Sequence, residues 1–211
     1  LSLPKLGDKP LRYKYLVEKL VEEDLIAPGN RHEWRKWLEE NHTKVNSVWL
    51  VYYTLQSAMP TITISEAVDE AIRYGWVNGT ARPIDENKFK QYFCKRRPMS
   101  TWSKINKEKV ERLTSSGQMT PAGIRCIELA KSNGSWSILD DVEALTIPPD
   151  LKSAFENEQV GWQFFSKLSI SVTKAILQWL VFAKREETRK KRIEEVIRFS
   201  KDGVVPKQFR P

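Results

Sequence analysis

Trp76-Val77-Asn78-Gly79-Thr80-Ala81-Arg82 and Lys88-Phe89-Lys90-Gln91-Tyr92-Phe93-Cys94 flank the stretch Pro83-Ile84-Asp85-Glu86-Asn87. Two strand-compatible runs around Pro, Asp and Asn predict an antiparallel hairpin, because those residues favour the backbone angles of a chain reversal. Side chains alternate along a strand, so Phe89, Gln91 and Phe93 should face one way and Lys90 and Tyr92 the other. Upstream, Val48-Trp49-Leu50-Val51-Tyr52-Tyr53-Thr54-Leu55 is short, β-branched and aromatic, which predicts a buried strand. The sheet expected is small and antiparallel, of about three strands.

Helix signals surround it. Asn30 with Glu33, and Thr63 with Glu66, have capping-box spacing, in which each side chain satisfies a backbone N–H that the first helical turn leaves free. They predict helices over 31–41 and 64–74, the second closed by Gly75. Ser103 can cap a helix over 104–115 that ends at Gly117. Thr120-Pro121 opens another, since proline lacks only an N–H that would be unpaired there anyway. Apolar spacing at Tyr13, Leu16, Val17, Leu20 and Val21 predicts a helix before Pro28-Gly29. Beyond 149 the chain reads as helices over 149–157, 159–168, 172–183 and 186–200. Helices this short bury an apolar stripe only against one another or against the preceding part. The fold class expected is α+β: a small antiparallel sheet flanked by helices, followed by a helical C-terminal region. The expected division is an N-terminal helical extension at 1–29, an α+β core at 30–134, a linker at 135–149 and the helical region at 150–211.

The chain has 211 residues, 40% hydrophobic and 29% charged, a globular balance. No apolar run approaches the roughly 20 residues of a membrane span. The start, Leu1-Ser2-Leu3-Pro4-Lys5, lacks the apolar centre of a signal peptide. Two cysteines, Cys94 and Cys126, are too few for a disulfide framework, so a cytoplasmic location is expected. With only His32 and His42 beside them, no metal site and no cofactor is expected.

The net charge is +8. Nine Lys/Arg against two Glu in 88–112 account for a surplus of seven, nearly the whole excess. A surface of that sign attracts anionic small molecules, acidic partners or nucleic acid. A second basic stretch, 184–198, carries Glu187 four residues before Lys191 and reads as a solvated helix face.

No catalytic motif appears. Adjacent carboxylates such as Glu22-Glu23, Glu39-Glu40 and Asp140-Asp141 point apart along a helix and suit solvent better than acid–base work. An enzymatic reading would fall on Cys94, whose neighbours Lys95, Arg96 and Arg97 favour a thiolate, or on Lys104. The sharpest constellation is Arg96-Arg97-Pro98-Met99-Ser100-Thr101-Trp102-Ser103-Lys104-Ile105-Asn106, two guanidiniums and three hydroxyls ahead of a helix start. Unpaired amides and the helix dipole make such an end receptive to anions.

Several segments together resemble the YdeI/OmpD-associated, bacteriocin-protection family. They are Glu33-Trp34-Arg35-Lys36-Trp37-Leu38-Glu39-Glu40-Asn41-His42, Val48 to Tyr53 as quoted, Glu66-Ala67-Val68 and Gly75-Trp76-Val77-Asn78-Gly79. Phe93 to Arg97, Ser100 to Asn106 and Met119-Thr120-Pro121-Ala122-Gly123 join them. The resemblance runs over 30–134 and continues more weakly through Pro148-Pro149-Asp150-Leu151 and Phe164-Phe165 to Arg192-Ile193. It implies no established reaction; the family's name points to tolerance of bacteriocins or cationic peptides and to an outer-membrane porin. Family members usually carry Asp where this chain has Asn78, and an amide cannot serve as a base. The family's Phe-Thr-Pro-Arg-Arg stands here as Phe93-Cys94-Lys95-Arg96-Arg97.

The site expected is an anion-receiving cleft between hairpin and helix start. Arg96 and Arg97 would clamp, Trp102 would stack, Ser103, Lys104 and Asn106 would form the helix end, and Trp76, Asn78, Arg82 and Tyr92 would line the strands. No catalytic residue is assigned. The alternatives are a nucleic-acid-binding protein using the 88–112 segment and an enzyme of unknown reaction.

Overall fold

The structure, a computed structural model, describes residues 25–57, 59 and 61–210. The helix expected before Pro28-Gly29 falls, up to residue 24, outside the described residues.

Four strands form one sheet: β1 (Leu25–Ile26), β2 (Ser47–Tyr53), β3 (Trp76–Asp85) and β4 (Lys88–Lys95), in the order β1-β2-β4-β3. β4 lies between β2 and β3 and is antiparallel to both. β1 pairs parallel with β2, Leu25 opposite Trp49 and Ile26 opposite Leu50, so the sheet is mixed and has one strand more than expected. Two residues are too short to show an alternating pattern. The fold class is α+β.

The hairpin takes the facing its sequence predicts. Phe93, Gln91 and Phe89 stand opposite Val48, Leu50 and Tyr52 on one face, and Tyr92 and Lys90 stand opposite Trp49 and Val51 on the other. Gly79 and Thr80 sit where the β3–β4 register shifts between Asn78 and Ala81. Pro83 is tolerated because β3 is an edge strand, where a missing N–H breaks no ladder.

The first face is covered by α1 (Arg31–Asn41) and α2 (Ile64–Arg73). α1 starts at Asn30, whose side chain accepts from Glu33 N at 3.1 Å; the Glu33 carboxylate returns to Gly29 N at 2.8 Å, one residue before the position a strict capping box uses. Thr63 and Glu66 form the reciprocal box before α2. Trp34, Leu38, Leu50, Trp76 and Phe93 are wholly buried between helices and sheet. Burial of each such side chain contributes about 1.5–3 kcal/mol. The Trp34 ring meets Phe93 edge-on at 5.5 Å, and its indole N–H donates to Ala67 O at 3.0 Å, so its polar atom is satisfied.

The described chain divides into two compact units. The first comprises the chain up to Pro98 with Glu108–Leu129, and the second Met99–Lys107 with the chain from Ala130 onward. The division passes through α3 (Lys104–Ser115) and α4 (Pro121–Ser132). Within the first unit, the beginning of α4 meets the end of α2 at Gly123, where a Cβ would lie 2.4 Å from the Arg73 carbonyl oxygen. Only glycine allows that approach.

The second unit is helical: α5 (Asp140–Glu143), α6 (Pro149–Ala154), α7 (Gln159–Phe165), α8 (Ile170–Val181) and α9 (Glu186–Lys201). Leu151, Phe165, Ile176, Leu177, Leu180 and Val196 are at most 2% exposed in one cluster, which Leu139 and Val142 from the 135–149 stretch also join. Gly161 brings α7 close to α9: a Cβ there would stand 3.5 Å from Lys201 N and from Ser200 Cβ.

Candidate functional site

The outward face of the sheet gathers rings and cations. Trp49 on β2 and Tyr92 on β4 are register partners whose ring centroids lie 5.2 Å apart. The Lys90 ammonium is 4.8 Å from the Trp49 ring centre and the Arg82 guanidinium 5.3 Å. Lys90 and Arg82 are themselves partners across β4 and β3. The ring quadrupole attracts a cation over its face, so Trp49 holds both charges at the sheet surface. Among the described residues neither Arg82 nor Lys90 meets a carboxylate within 4.0 Å, whereas Lys88 nearby pairs with Asp85 at 3.2 Å. Arg82 is exposed, and Trp49, Lys90 and Tyr92 are half-buried.

The residues singled out in the sequence divide between the two units. Trp76, Asn78, Arg82, Tyr92, Arg96 and Arg97 belong to the first, and Trp102, Ser103, Lys104 and Asn106 to the second. In the first unit, Trp76 is wholly buried, set edge-on to Trp37 at 5.9 Å. Asn78 is half-buried opposite Phe93, and Arg97 is exposed. Arg96 is only 8% exposed, and its N–H donates to Gly75 O at 2.9 Å. Burial pulls its guanidinium down to about 10, still charged at neutral pH. In the second unit, Trp102 is 1% exposed with its ring 5.0 Å from Trp136. Ser103 Oγ accepts from Asn106 N at 3.4 Å, and Lys104 N donates to Glu143 Oε1 at 3.5 Å. The first turn of α3 thus has two of its amides engaged by the protein itself.

Much of the basic 88–112 segment is likewise matched internally. Lys109 and Arg112 each reach Asp69 at 2.7 Å, and Lys107 pairs with Asp140. Asp69 and Glu70, both on α2 and at most 5% exposed, form a network absent from the sequence reading. Glu70 accepts from Arg31 at 2.5 Å, Arg35 at 2.9 Å and Arg73 at 2.5 Å. Burial opposes the Glu70 charge, but the hydrogen bonds from Arg35 and Arg31 and the charge of Arg73 outweigh it and hold the carboxyl below its ordinary range. The arrangement joins α1, α2 and α3 and has the character of a structural ion network.

Cys94 is half-buried, and burial raises its thiol above the ordinary value although Arg97 and Arg96 pull the other way. The basic neighbours therefore do not make it a thiolate. Among the described residues no group of three or more His, Cys, Asp and Glu could hold a metal ion, and no helix is long and apolar enough to cross a membrane.

Trp49 and Lys90 were not among the residues singled out. The signal for both was available: period-two alternation puts Lys90 on the side of Tyr92, and pairing β2 with β4 then brings Trp49 beside them.

Residues 144–203 match the model of the family described as Bacteriocin-protection, YdeI or OmpD-Associated. Residues 26–126 match a separate model, described as a domain of unknown function, DUF8412. The family recognised in the sequence is therefore the one matched, on the C-terminal segment, where its resemblance was read as weaker. Neither a curated protein nor a solved structure matches the chain.

Proposed function

We propose that this chain, whose residues 144–203 match the bacteriocin-protection, YdeI or OmpD-associated family model, is a non-catalytic binding protein. Its first unit engages an anionic partner through the outward face of the sheet. The carrying observation is the pair Arg82 and Lys90, held over Trp49 with no carboxylate of the described residues against them. Lys88, Lys107, Lys109 and Arg112 are matched by Asp85, Asp140 and Asp69, whereas Arg82 and Lys90 keep their attraction for an external anion. Cytoplasmic residence belongs to the same proposal, since Cys94 and Cys126 are free thiols and a reducing compartment keeps them so. A link to antimicrobial-peptide tolerance rests on the family's name. With a net charge of +8, direct capture of cationic peptides is disfavoured, and such a role would run through an acidic partner.

Retention on heparin tests the reading. The wild-type chain should elute late in a salt gradient, and Arg82→Gln with Lys90→Gln should elute markedly earlier with an unchanged melting temperature. Coincident elution of the two would refute the role of this face.

A further inference from the structure

We infer that the anionic partner is single-stranded nucleic acid, with bases stacking at Trp49 and Tyr92 and phosphates meeting Arg82 and Lys90; this rests on the reading above. Three features of the face favour that occupant. Its rings and cations lie side by side on three neighbouring strands, with Arg82 exposed and Trp49, Lys90 and Tyr92 half-buried, an arrangement that suits an extended chain crossing the strands. Charge is combined with aromatic rings: Trp49 and Tyr92 lie 5.2 Å apart on neighbouring strands, with two cations within 5.3 Å of the Trp49 ring. Unpaired bases offer a planar face at each residue of a charged backbone, so rings and cations are matched together by one polymer. A duplex hides those faces in its stack, and an acidic peptide has charge without regular planar groups. Arg82, exposed at the sheet edge, can leave the indole as a base arrives and take a phosphate instead.

The test is fluorescence anisotropy of the full chain with a labelled twelve-nucleotide thymidine oligomer, with the same oligomer annealed to its adenosine complement, and with heparin as competitor. The inference expects the single strand to bind at least tenfold more tightly than the duplex. Affinity should fall as salt rises, and the slope should drop by about one for each cation removed. Trp49→Leu with Tyr92→Leu should weaken the single strand at least tenfold, and Tyr92→Leu alone, at a ring over which neither Arg82 nor Lys90 sits, should weaken it while shifting heparin elution far less than Arg82→Gln with Lys90→Gln does. The wild-type preference for single strands needs no variant and decides the matter even if the ring substitutions unfold the chain. Equal or tighter duplex binding overturns the inference and leaves the basic face standing. Retention on heparin without oligomer binding does the same. Failure to bind any polyanion overturns both.

Discussion

Arg31 Nε donates to Glu70 Oε1 at 2.5 Å, and through that carboxylate the first turn of α1 is bound to the last turn of α2, 39 residues along the chain. Arg35 and Arg73 share the same two oxygens, so one wholly buried carboxylate satisfies three guanidiniums. Glu70→Ala should lower unfolding stability by about 3 kcal/mol, because removing one partner of a buried ionic cluster leaves like charges facing one another. The low end of the usual range applies, since Arg31 and Arg35 are about one-third exposed and regain water. Urea unfolding checks this; a loss below about 1 kcal/mol, the scale of an ordinary cap, contradicts the assigned role.

The same carboxylate gives the protein an acid limit. Hydrogen bonds from Arg35 and Arg31 hold Glu70 below its ordinary 4.5, and the hydrogen bond from Arg189 holds Asp150 below 3.8. A depressed folded-state value contributes stability that is complete above the unfolded value and is lost as pH falls through the folded one. Melting temperature should therefore be level from neutral pH down to the ordinary carboxyl range and drop below it. Glu70→Gln, already destabilised, should show a shallower acid decline. A Tm that rises as pH falls toward 3 is incompatible with this account.

Two glycines separate close approach from backbone angle. Gly123→Ala would put a methyl 2.4 Å from Arg73 O, a backbone atom that cannot swing aside, so α4 must shift away from α2. Gly117 has φ +65 but nothing within 4 Å of an added Cβ. Gly117→Ala should cost about 1–2 kcal/mol from the left-handed backbone alone, and Gly123→Ala about 3 kcal/mol or more, beyond ordinary overpacking. Equal midpoints in denaturant for the two variants would show that α4 yields without resistance.

Cys94 should alkylate slowly. Burial raises its thiol despite Arg97 and Arg96, which lowers the thiolate fraction at neutral pH. Iodoacetamide labelling at pH 7 should run slower than with free cysteine. A faster rate would restore the enzymatic reading.

Local rules made the hairpin facing and the Thr63–Glu66 box legible, since both depend on residues within a few positions of each other. The central position of β4 is not a local property: it depends on Ser47 meeting Cys94. The 88–112 charge run was read as a block, yet Lys109 and Arg112 are answered by Asp69, about 40 residues upstream. Adjacent carboxylates were set aside as solvated, and Asp69-Glu70 breaks that expectation. Neighbours on a helix do point apart, and here Asp69 takes Lys109 and Arg112 while Glu70 takes Arg35 and Arg73, with Arg31 reaching both. Arg96 and Trp102 looked like ligand contacts because guanidinium and indole are adhesive groups; burial withdraws both from the surface.

The placement of β4 also sets an order on the growing chain. β2 ends at Tyr53 and β4 begins at Lys88, so about 35 residues separate strands that must lie side by side. At about 5–20 residues per second on the ribosome, β2 waits roughly two to seven seconds for its long-range partner. During that interval the edge that will carry β4 displays unsatisfied backbone groups, with Leu50 and Tyr52 uncovered beside it. α1 and α2, both made before β4, lie on the face that carries Leu50 and Tyr52, but the backbone groups of that edge are answered only when translation has passed Lys95.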